Sequence, residues 1–493
     1  MEGAAPVAAG ATGAARALTP LPSCKESPAV HTRPIVLAHA FGERYELPIP
    51  LYLFALGGAL VVLLSFALVL RTPGGSAPEV ATTDAIPLRR FHPVLGPLSV
   101  VVLLLVALVG LTGSQVVSEN LAPETFWVLT WIGVPLACGL LGDWTRAVNP
   151  FANLARLAGG PRVRKTLLAR SEPLAWRAGW WPAVGLFVLM VLGELVFNLR
   201  ATTPAFVGGS LLVYAVLSAF LGLLFGDGFL ARGEVFSGLF NAWGRLGFWR
   251  FGASGRTRRF TGGLDVPFDA SPSRVVFVLL LLVSINVDGL LATPQWASYE
   301  RRTLGTDTSG IDALRTGSLI ALVVVVLAFF LAFAVGSARA GRWGSSPFGA
   351  LAGLLPSLVP IAFGYLVAHY LQYLVTNGQL MAPLIGNPGY ARWPVHLPAP
   401  FNDSFEVDTT LLPNSFYWYL SVVVIVAVHV VAVVLAHRAL VQRAGDETRA
   451  RRSEYPWLVA MVAYTAASLL LIAQPLTQER NSATTAASQG AVR

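Results

Sequence analysis

The sequence predicts an all-α integral membrane protein with about ten transmembrane helices. The chain has 493 residues, of which 55% are hydrophobic and only 12% are charged. A soluble protein of this length would need far more charge on its surface, so the composition indicates the membrane class. Apolar runs of about 20 residues, the length that crosses a bilayer, recur along the chain and alternate with short basic loops.

Ten apolar runs have spanning length. They cover about 51–70, 95–114, 125–142, 180–199, 205–226, 274–293, 318–337, 351–375, 416–437 and 456–475. Residues 1–38 are rich in Ala, Pro and Gly and lack the apolar core of a signal peptide, so we expect a disordered or leader segment there. The transmembrane domain then covers 39–475, and 476–493 form a disordered tail.

The basic residues predict the orientation of the chain. Of the 35 Lys and Arg residues, 24 fall in the odd-numbered loops and 11 in the even-numbered loops and the termini. The positive-inside rule therefore places the odd loops in the cytoplasm and both termini outside the cytoplasmic membrane. Because the positive charge is spread over these loops, lipid headgroups are the expected contacts and nucleic acid is not an expected partner.

An internal repeat is indicated by two similar stretches in predicted cytoplasmic loops. These are FANLARL at 151–157 and FNAWGRL at 240–246. Each is followed by a helix that carries an acidic residue, Glu194 or Asp288, ahead of Leu, Ala, Thr, Pro and an aromatic residue. This similarity predicts a parallel repeat, with units of about 125–204 and 205–297, of the kind that transporters use.

The stretch 347–379 is a spanning segment that carries polar residues. Tyr365, His369, Gln372 and Tyr373 follow one another at helical spacing and predict a polar stripe on one face. Such a stripe is costly in lipid and should face protein or a hydrated cavity. The outer loop that follows, 376–415, is long enough to fold as a lid, or it is a variable surface loop.

Three ionisable residues are predicted to lie at one depth in the membrane. Glu194, Asp288 and His369 each lie roughly 9 Å inside the outer end of a predicted helix, at 1.5 Å per residue. Asn198 and Ser284 are one helical turn from the two carboxylates and would support them. Two carboxylates and an imidazole suit either a divalent metal ion or a proton relay. The alternative is a structural role, with the carboxylates reaching water or pairing with a basic residue.

Several chemistries are not indicated. The chain has no GxSxG, HExxH or GxGxxG motif, and Lys165 and Thr166 follow Arg164 where a phosphate-binding loop requires Gly. The two cysteines, Cys24 and Cys138, offer neither a disulfide nor a thiolate metal site. An ATP-driven pump is therefore not expected.

Five segments of the chain carry a resemblance to a known family. They read HAFGERYELPIPLYL, NPFANLARL, VDGLLATPQW, SLVPIAFGYLVAHYLQYL and VHVVAVVLAHRAL. Over residues 39 to about 442 the chain resembles a family of bacterial polytopic membrane proteins, some of whose members are called fenitrothion hydrolases. The resemblance implies hydrolysis of organophosphorus triesters, with Glu194, Asp288 and His369 as metal ligands or general bases. A metal-bound water is the usual nucleophile for such esters.

Three functions are therefore carried forward. The first is a membrane-embedded hydrolase with a site that opens outward, and Trp296, Tyr365, Gln372 and Tyr373 would then contact its substrate. The second is a secondary transporter or ion-coupled permease, with which Pro356 and Pro360 are compatible because transporters use broken helices. The third is a metal-handling or assembly factor of the membrane.

Overall fold

The computed structural model describes residues 92–249 and 259–473, with Gly57 and Leu60 as isolated positions. In these ranges all regular elements are helical. The main helices are α1 (Leu95–Thr112), α2 (Leu121–Leu141), α3 (Pro150–Ala158), α4 (Pro161–Leu168), α5 (Trp181–Leu195), α6 (Pro204–Phe225), α7 (Asp227–Arg232), α8 (Val235–Gly244), α9 (Pro272–Leu291), α10 (Pro294–Leu304), α11 (Thr308–Gly341), α12 (Pro347–Gly386), α13 (Asn414–Ala444) and α14 (Glu447–Ala473).

The predicted membrane class and all-α fold are confirmed. Within the described residues, seven helices are long and apolar enough to cross a membrane: α1, α2, α6, α9, α11, α12 and α13. The predicted count of ten is not confirmed. The run 180–199 contains α5, which has 15 residues and is therefore only about 22 Å long. The run 456–475 falls largely in α14, and the run 51–70 lies outside the described residues except for two isolated positions.

Helices α9 and α12 form the centre of the bundle. In α12 94% of the most apolar window is buried, and in α9 83%, whereas the other spanning helices have 22–50% buried. A helix that is apolar all round can be enclosed by other helices, whereas the outer helices leave one side for lipid. Helices α9 and α12 are therefore largely enclosed by the other helices.

Helix α12 tightens to a 3₁₀ turn near its beginning. An α-helical segment, Pro347–Leu354, is followed by a 3₁₀ turn at Leu355–Ser357, and the α-helix resumes at Leu358–Asn377. The turn contains Pro356, which lacks the N–H that would continue the α-helical hydrogen bonding. The backbone keeps right-handed helical angles at Leu354, Ser357 and Leu358, so the helix is continuous here and a transporter-like break stays a prediction.

Helix α2 contains a long stretch of π-helix over Glu124–Gly133. The wider turn of a π-helix changes which side chains face the neighbouring helices, and such stretches are frequent at functional sites. Trp127 and Trp131 from this stretch are buried, with their rings in edge-to-face contact at 6.2 Å.

The helices α3 and α8 contain the two stretches that suggested a repeat. FANLARL lies in α3, but FNAWGRL begins in the middle of α8 and continues past its end. Phe151 stacks on Phe236, at 5.2 Å between ring centroids, and each of these residues is the second residue of its helix. The sequence comparison aligned Phe151 with Phe240, whereas in the structure Phe151 contacts Phe236. An internal duplication therefore stays a prediction.

The N-caps of α3 and α8 also bond to each other. Asn149 accepts hydrogen bonds from the first turn of α3, and Glu234 does the same for α8. The Asn149 amide donates to Glu234 Oε2 at 2.7 Å, and the Tyr214 hydroxyl donates to Glu234 Oε1 at 2.9 Å. Glu234 is fully buried, so this polar junction fixes where α8 begins.

Candidate functional site

The two central helices bring Asp288 and His369 into direct contact. Asp288 lies near the end of α9 and His369 in the second half of α12, and each is only 3% exposed. A carboxylate oxygen of Asp288 and Nε2 of His369 form a hydrogen bond. A buried carboxylate and imidazole that share a hydrogen bond can exchange or jointly hold a proton.

Glu194 joins this pair from α5. Its carboxylate accepts hydrogen bonds from Trp131 Nε1 at 2.9 Å and from the Tyr370 hydroxyl at 2.8 Å. The Tyr370 ring lies edge-on to the His369 ring with 4.4 Å between centroids. Glu194 lies within electrostatic range of both Asp288 and His369. The three ionisable residues that the sequence placed at one depth therefore belong to one cluster, which we call the central polar cluster.

A small cavity adjoins the cluster. Its volume is about 30 Å³, enough for one or two water molecules. Glu194 and Tyr370 line it together with Ser284, and the rest of its wall is mostly apolar and aromatic. The remaining lining residues are Trp131, Pro135, Phe187, Leu239, Trp243, Leu281, Ile285 and Leu366.

The supporting roles expected for Asn198 and Ser284 differ from what the sequence suggested. The Asn198 amide donates to the backbone carbonyl of Glu194 at 3.1 Å, not to its carboxylate. This happens because α5 ends at Leu195 and a new turn begins at Asn198. Ser284 faces the cavity, where its hydroxyl is available to water or to a substrate.

The polar stripe on α12 serves two different neighbours. His369 turns to α9, whereas the Tyr365 ring lies against His429 of α13, with 6.2 Å between centroids. Gln372 also turns to α13 and donates to Asn414 at 3.1 Å. Tyr373 packs against the apolar core. The stripe divides because α9 and α13 both pack along this side of α12.

Trp296 belongs to a separate ion-pair site. Its indole N–H donates to Glu300 within α10, at 2.5 Å, and Arg315 of α11 binds both oxygens of the same carboxylate at 2.7 and 2.8 Å. Burial raises the pKa of Glu300, but the hydrogen bonds from Arg315 and Trp296 lower it more, and the net shift is downward. The indole N–H of Trp296 therefore belongs to this ion pair, and a contact of Trp296 with a substrate stays a prediction.

Three residues of the neighbourhood were not predicted. Trp131 and Tyr370 hold Glu194, and Glu124 begins the π-helical stretch of α2 only 5% exposed. Within the described ranges, the buried Oε1 of Glu124 has no hydrogen-bond partner. Glu124 and Glu194 both lie near Tyr373. The sequence signal for Glu124 is an acidic residue directly before the apolar run 125–142.

Several polar atoms of the cluster bond to one another. Among the described residues, no group of three or more His, Cys, Asp and Glu side chains is arranged to hold a metal ion. The observed contacts are a carboxylate with an imidazole, and a second carboxylate with an indole and a phenol. A divalent metal at Glu194, Asp288 and His369 therefore stays a prediction.

No protein family, curated protein or solved structure matches the chain. The function of the protein is therefore inferred from the geometry of the central polar cluster.

Proposed function

We propose that the protein is an ion-coupled membrane transporter whose coupling site binds and releases protons at the central polar cluster. The observation that carries this proposal is the convergence of Glu194, Asp288 and His369 from three helices in the buried interior of the bundle. Ionisable residues inside a membrane protein are costly, and proton relays are one of the functions that retain them.

The bonding within the cluster supports proton exchange. Asp288 and His369 share one hydrogen bond, so a proton can lie on either side of it. Glu194 accepts hydrogen bonds from two neutral donors, Trp131 and Tyr370, which stabilise its charged carboxylate, and the Tyr370 hydroxyl can rotate to accept from the protonated carboxyl. The Tyr370 ring touches His369, which couples the two parts of the cluster mechanically.

The cavity supports a proton as the coupling ion. A space of about 30 Å³ beside Glu194 admits one or two waters, which are sufficient to carry a proton. Glu124 is buried in the π-helix of α2, and its Oε1 atom has no hydrogen-bond partner among the described residues. It offers a second carboxyl group near Tyr373. We place Glu124 on the route by which protons reach Glu194.

The 3₁₀ turn in α12 is compatible with alternating access. Transporters commonly build their sites on discontinuous helices, and a 3₁₀ turn within a helix often marks a hinge. His369 and Tyr370 lie beyond the turn at Leu355–Ser357, so a tilt of the later segment would move both relative to Asp288 and Glu194. Protonation of the Asp288–His369 pair would favour one of the two positions.

A hydrolase is the second candidate, because Asp288 and His369 form the pairing of a general base and its orienting carboxylate. Ser284 lies on the adjoining cavity. We rank the hydrolase second because a phosphotriester needs far more room than the one or two waters that this cavity holds. A hydrolase would require the cavity to open widely before substrate enters.

The test is proton-driven charge movement in proteoliposomes on a solid-supported membrane. A step in external pH should produce a transient current in the wild type, and Glu194→Gln, Asp288→Asn and His369→Gln should each reduce it at least tenfold. Glu300→Gln is the matched control, because it neutralises a carboxyl in the separate ion pair and should leave the current unchanged. Equal currents in all five proteins would contradict the proposal. Hydrolysis of a phosphotriester that the same three variants abolish would favour the second candidate.

A further inference from the structure

A second cavity lies at the other end of the central helices. It has a volume of about 100 Å³, which leaves room for several water-sized groups. Its wall comes from the beginning of α12, the second half of α13 and the segment before α9. The lining residues are Leu264, Asp265, Pro267, Gly353, Pro356, Leu435, Arg438, Ala439, Gln442 and Arg443.

Helix α13 presents a polar face to this cavity. The lining residues of α13 are spaced at i, i+3, i+4, i+7 and i+8 from Leu435, so they lie on one side of the helix. Arg438 and Gln442 are one turn apart and neighbours on that surface. The guanidinium groups of Arg438 and Arg443 and the amide of Gln442, which can all donate hydrogen bonds, therefore line the same cavity.

The backbone makes room for one of these guanidinium groups. A Cβ atom added to Gly353 would lie 1.8 Å from an Nη atom of Arg443, so no other residue type fits there without displacing the arginine. Arg443 also donates to the carbonyl of Gly349 at 3.3 Å, and its guanidinium lies 5.2 Å from the ring centre of Trp343. Its position against α12 is thus built into the fold.

The charge of the cavity is positive. The one acidic lining residue, Asp265, is held by Arg259 at 2.5 and 2.6 Å, so its charge is compensated. Arg438 is exposed, and no residue within 92–249 or 259–473 accepts a hydrogen bond from its side chain. Arg438 and Arg443 therefore leave uncompensated positive charge beside the cavity.

We propose that this cavity binds a phosphate group, either that of an anionic lipid headgroup or a free phosphate. The planar guanidinium of arginine matches the geometry of phosphate oxygens and binds them through paired hydrogen bonds. The Gln442 amide supplies a further donor. The cavity lies where the apolar part of α13 ends and its basic part begins, which is the level of the lipid headgroups, and basic pockets between helices are known sites for such headgroups.

The experiment titrates the purified full-length protein with phosphatidylglycerol and, in parallel, with phosphatidylcholine, and counts retained lipids by native mass spectrometry. Phosphatidylglycerol should bind more tightly, and Arg438→Gln should weaken it about fivefold, since one arginine near the surface contributes about 1 kcal/mol. Gly353→Ala should weaken it by a similar factor through displacement of Arg443. Arg449→Gln, at an exposed arginine outside the cavity, is the matched control and should leave the affinity unchanged.

A third arm of the titration identifies the source of the phosphate. Inorganic phosphate that displaces phosphatidylglycerol from the wild type, and not from Arg438→Gln, would assign the site to free phosphate, whereas absence of displacement would assign it to the lipid. The proposal is overturned if phosphatidylglycerol and phosphatidylcholine bind alike and inorganic phosphate does not bind. It is also overturned if Arg449→Gln weakens binding as much as Arg438→Gln. Because Arg438 is exposed, its variant tests the proposal even if Gly353→Ala fails to fold.

Discussion

Replacement of Glu234 by Ala should destabilise the protein more than any other single carboxylate substitution outside the central polar cluster. The Glu234 side chain is fully buried and accepts four hydrogen bonds. Two come from the first turn of α8, at 3.1 and 2.7 Å, and the others come from Asn149 and Tyr214. Helix α8 in turn supplies Leu239 and Trp243 to the wall of the cavity beside Glu194.

The expected magnitude follows from these bonds. Loss of an N-cap side chain costs about 1–2 kcal/mol, and each buried donor left without a partner costs about 1–3 kcal/mol. With the cap and the donors of Asn149 and Tyr214 lost together, Glu234→Ala should cost about 3–8 kcal/mol. This is a large share of the stability of a typical domain, about 5–15 kcal/mol. Glu234→Gln keeps one acceptor oxygen and should cost less.

Unfolding in mixed micelles, followed by tryptophan fluorescence, measures these free energies. The order of stability should be wild type, then Glu234→Gln, then Glu234→Ala. Glu172→Ala, at an exposed carboxylate, should stay within about 0.5 kcal/mol of the wild type. A cost of less than about 1 kcal/mol for Glu234→Ala would refute the reasoning, since it would be no larger than that of an ordinary exposed cap.

Three further predictions concern the ion pair, a helix contact and the cluster. Because the folded pKa of Glu300 is lowered, its contribution to stability is present above its unfolded pKa of about 4.3 and is lost as the pH falls through the folded value. Glu300→Gln should therefore flatten the fall of Tm on acidification, and an unchanged pH profile would argue against the pair with Arg315. Gly208→Leu should destabilise the protein by at least about 2 kcal/mol, because a Cβ atom at this position would lie 2.6 Å from a carbonyl oxygen of α1. Unfolding in mixed micelles measures this cost, and a neutral effect would mean that α1 and α6 do not pack this closely. Tyr370→Phe, which removes the hydrogen bond from the Tyr370 hydroxyl to Glu194, worth about 0.5–1.5 kcal/mol, should lower the pH-driven current by about twofold to tenfold, and an unaltered current would show that this bond does not serve proton exchange.

The sequence indicated which ionisable residues meet and was much less informative about helix ends and helix rotation. The residue count predicts that Glu194, Asp288 and His369 each lie about 9 Å inside a helix end, but α5 ends one residue after Glu194 and α9 ends three residues after Asp288. Their partners depend on how each helix is rotated against its neighbours. Asp288 and His369 meet, as residues expected at one level can. The sequence did not predict that Trp131 and Tyr370 bond to Glu194, or that the polar stripe of α12 divides between α9 and α13.

Local backbone irregularities explain the other differences. The π-helix of α2 turns Trp131 towards Glu194 in a way that a regular helical period does not reproduce. The repeat was aligned on matching letters, but α3 and α8 meet at Phe151 and Phe236, which share a position after their N-caps. Identical letters in apolar sequence are frequent, so the capping residues would have been the better guide to that register.

The most direct test of the proposed coupling site is infrared difference spectroscopy of the reconstituted protein between acidic and alkaline pH. The wild type should show an absorption band of protonated carboxyl groups that changes with pH, and Glu194→Gln and Asp288→Asn should each remove part of it. Glu300→Gln should leave those two components in place. Spectra in which neither Glu194→Gln nor Asp288→Asn removes any component would contradict proton binding at the central polar cluster.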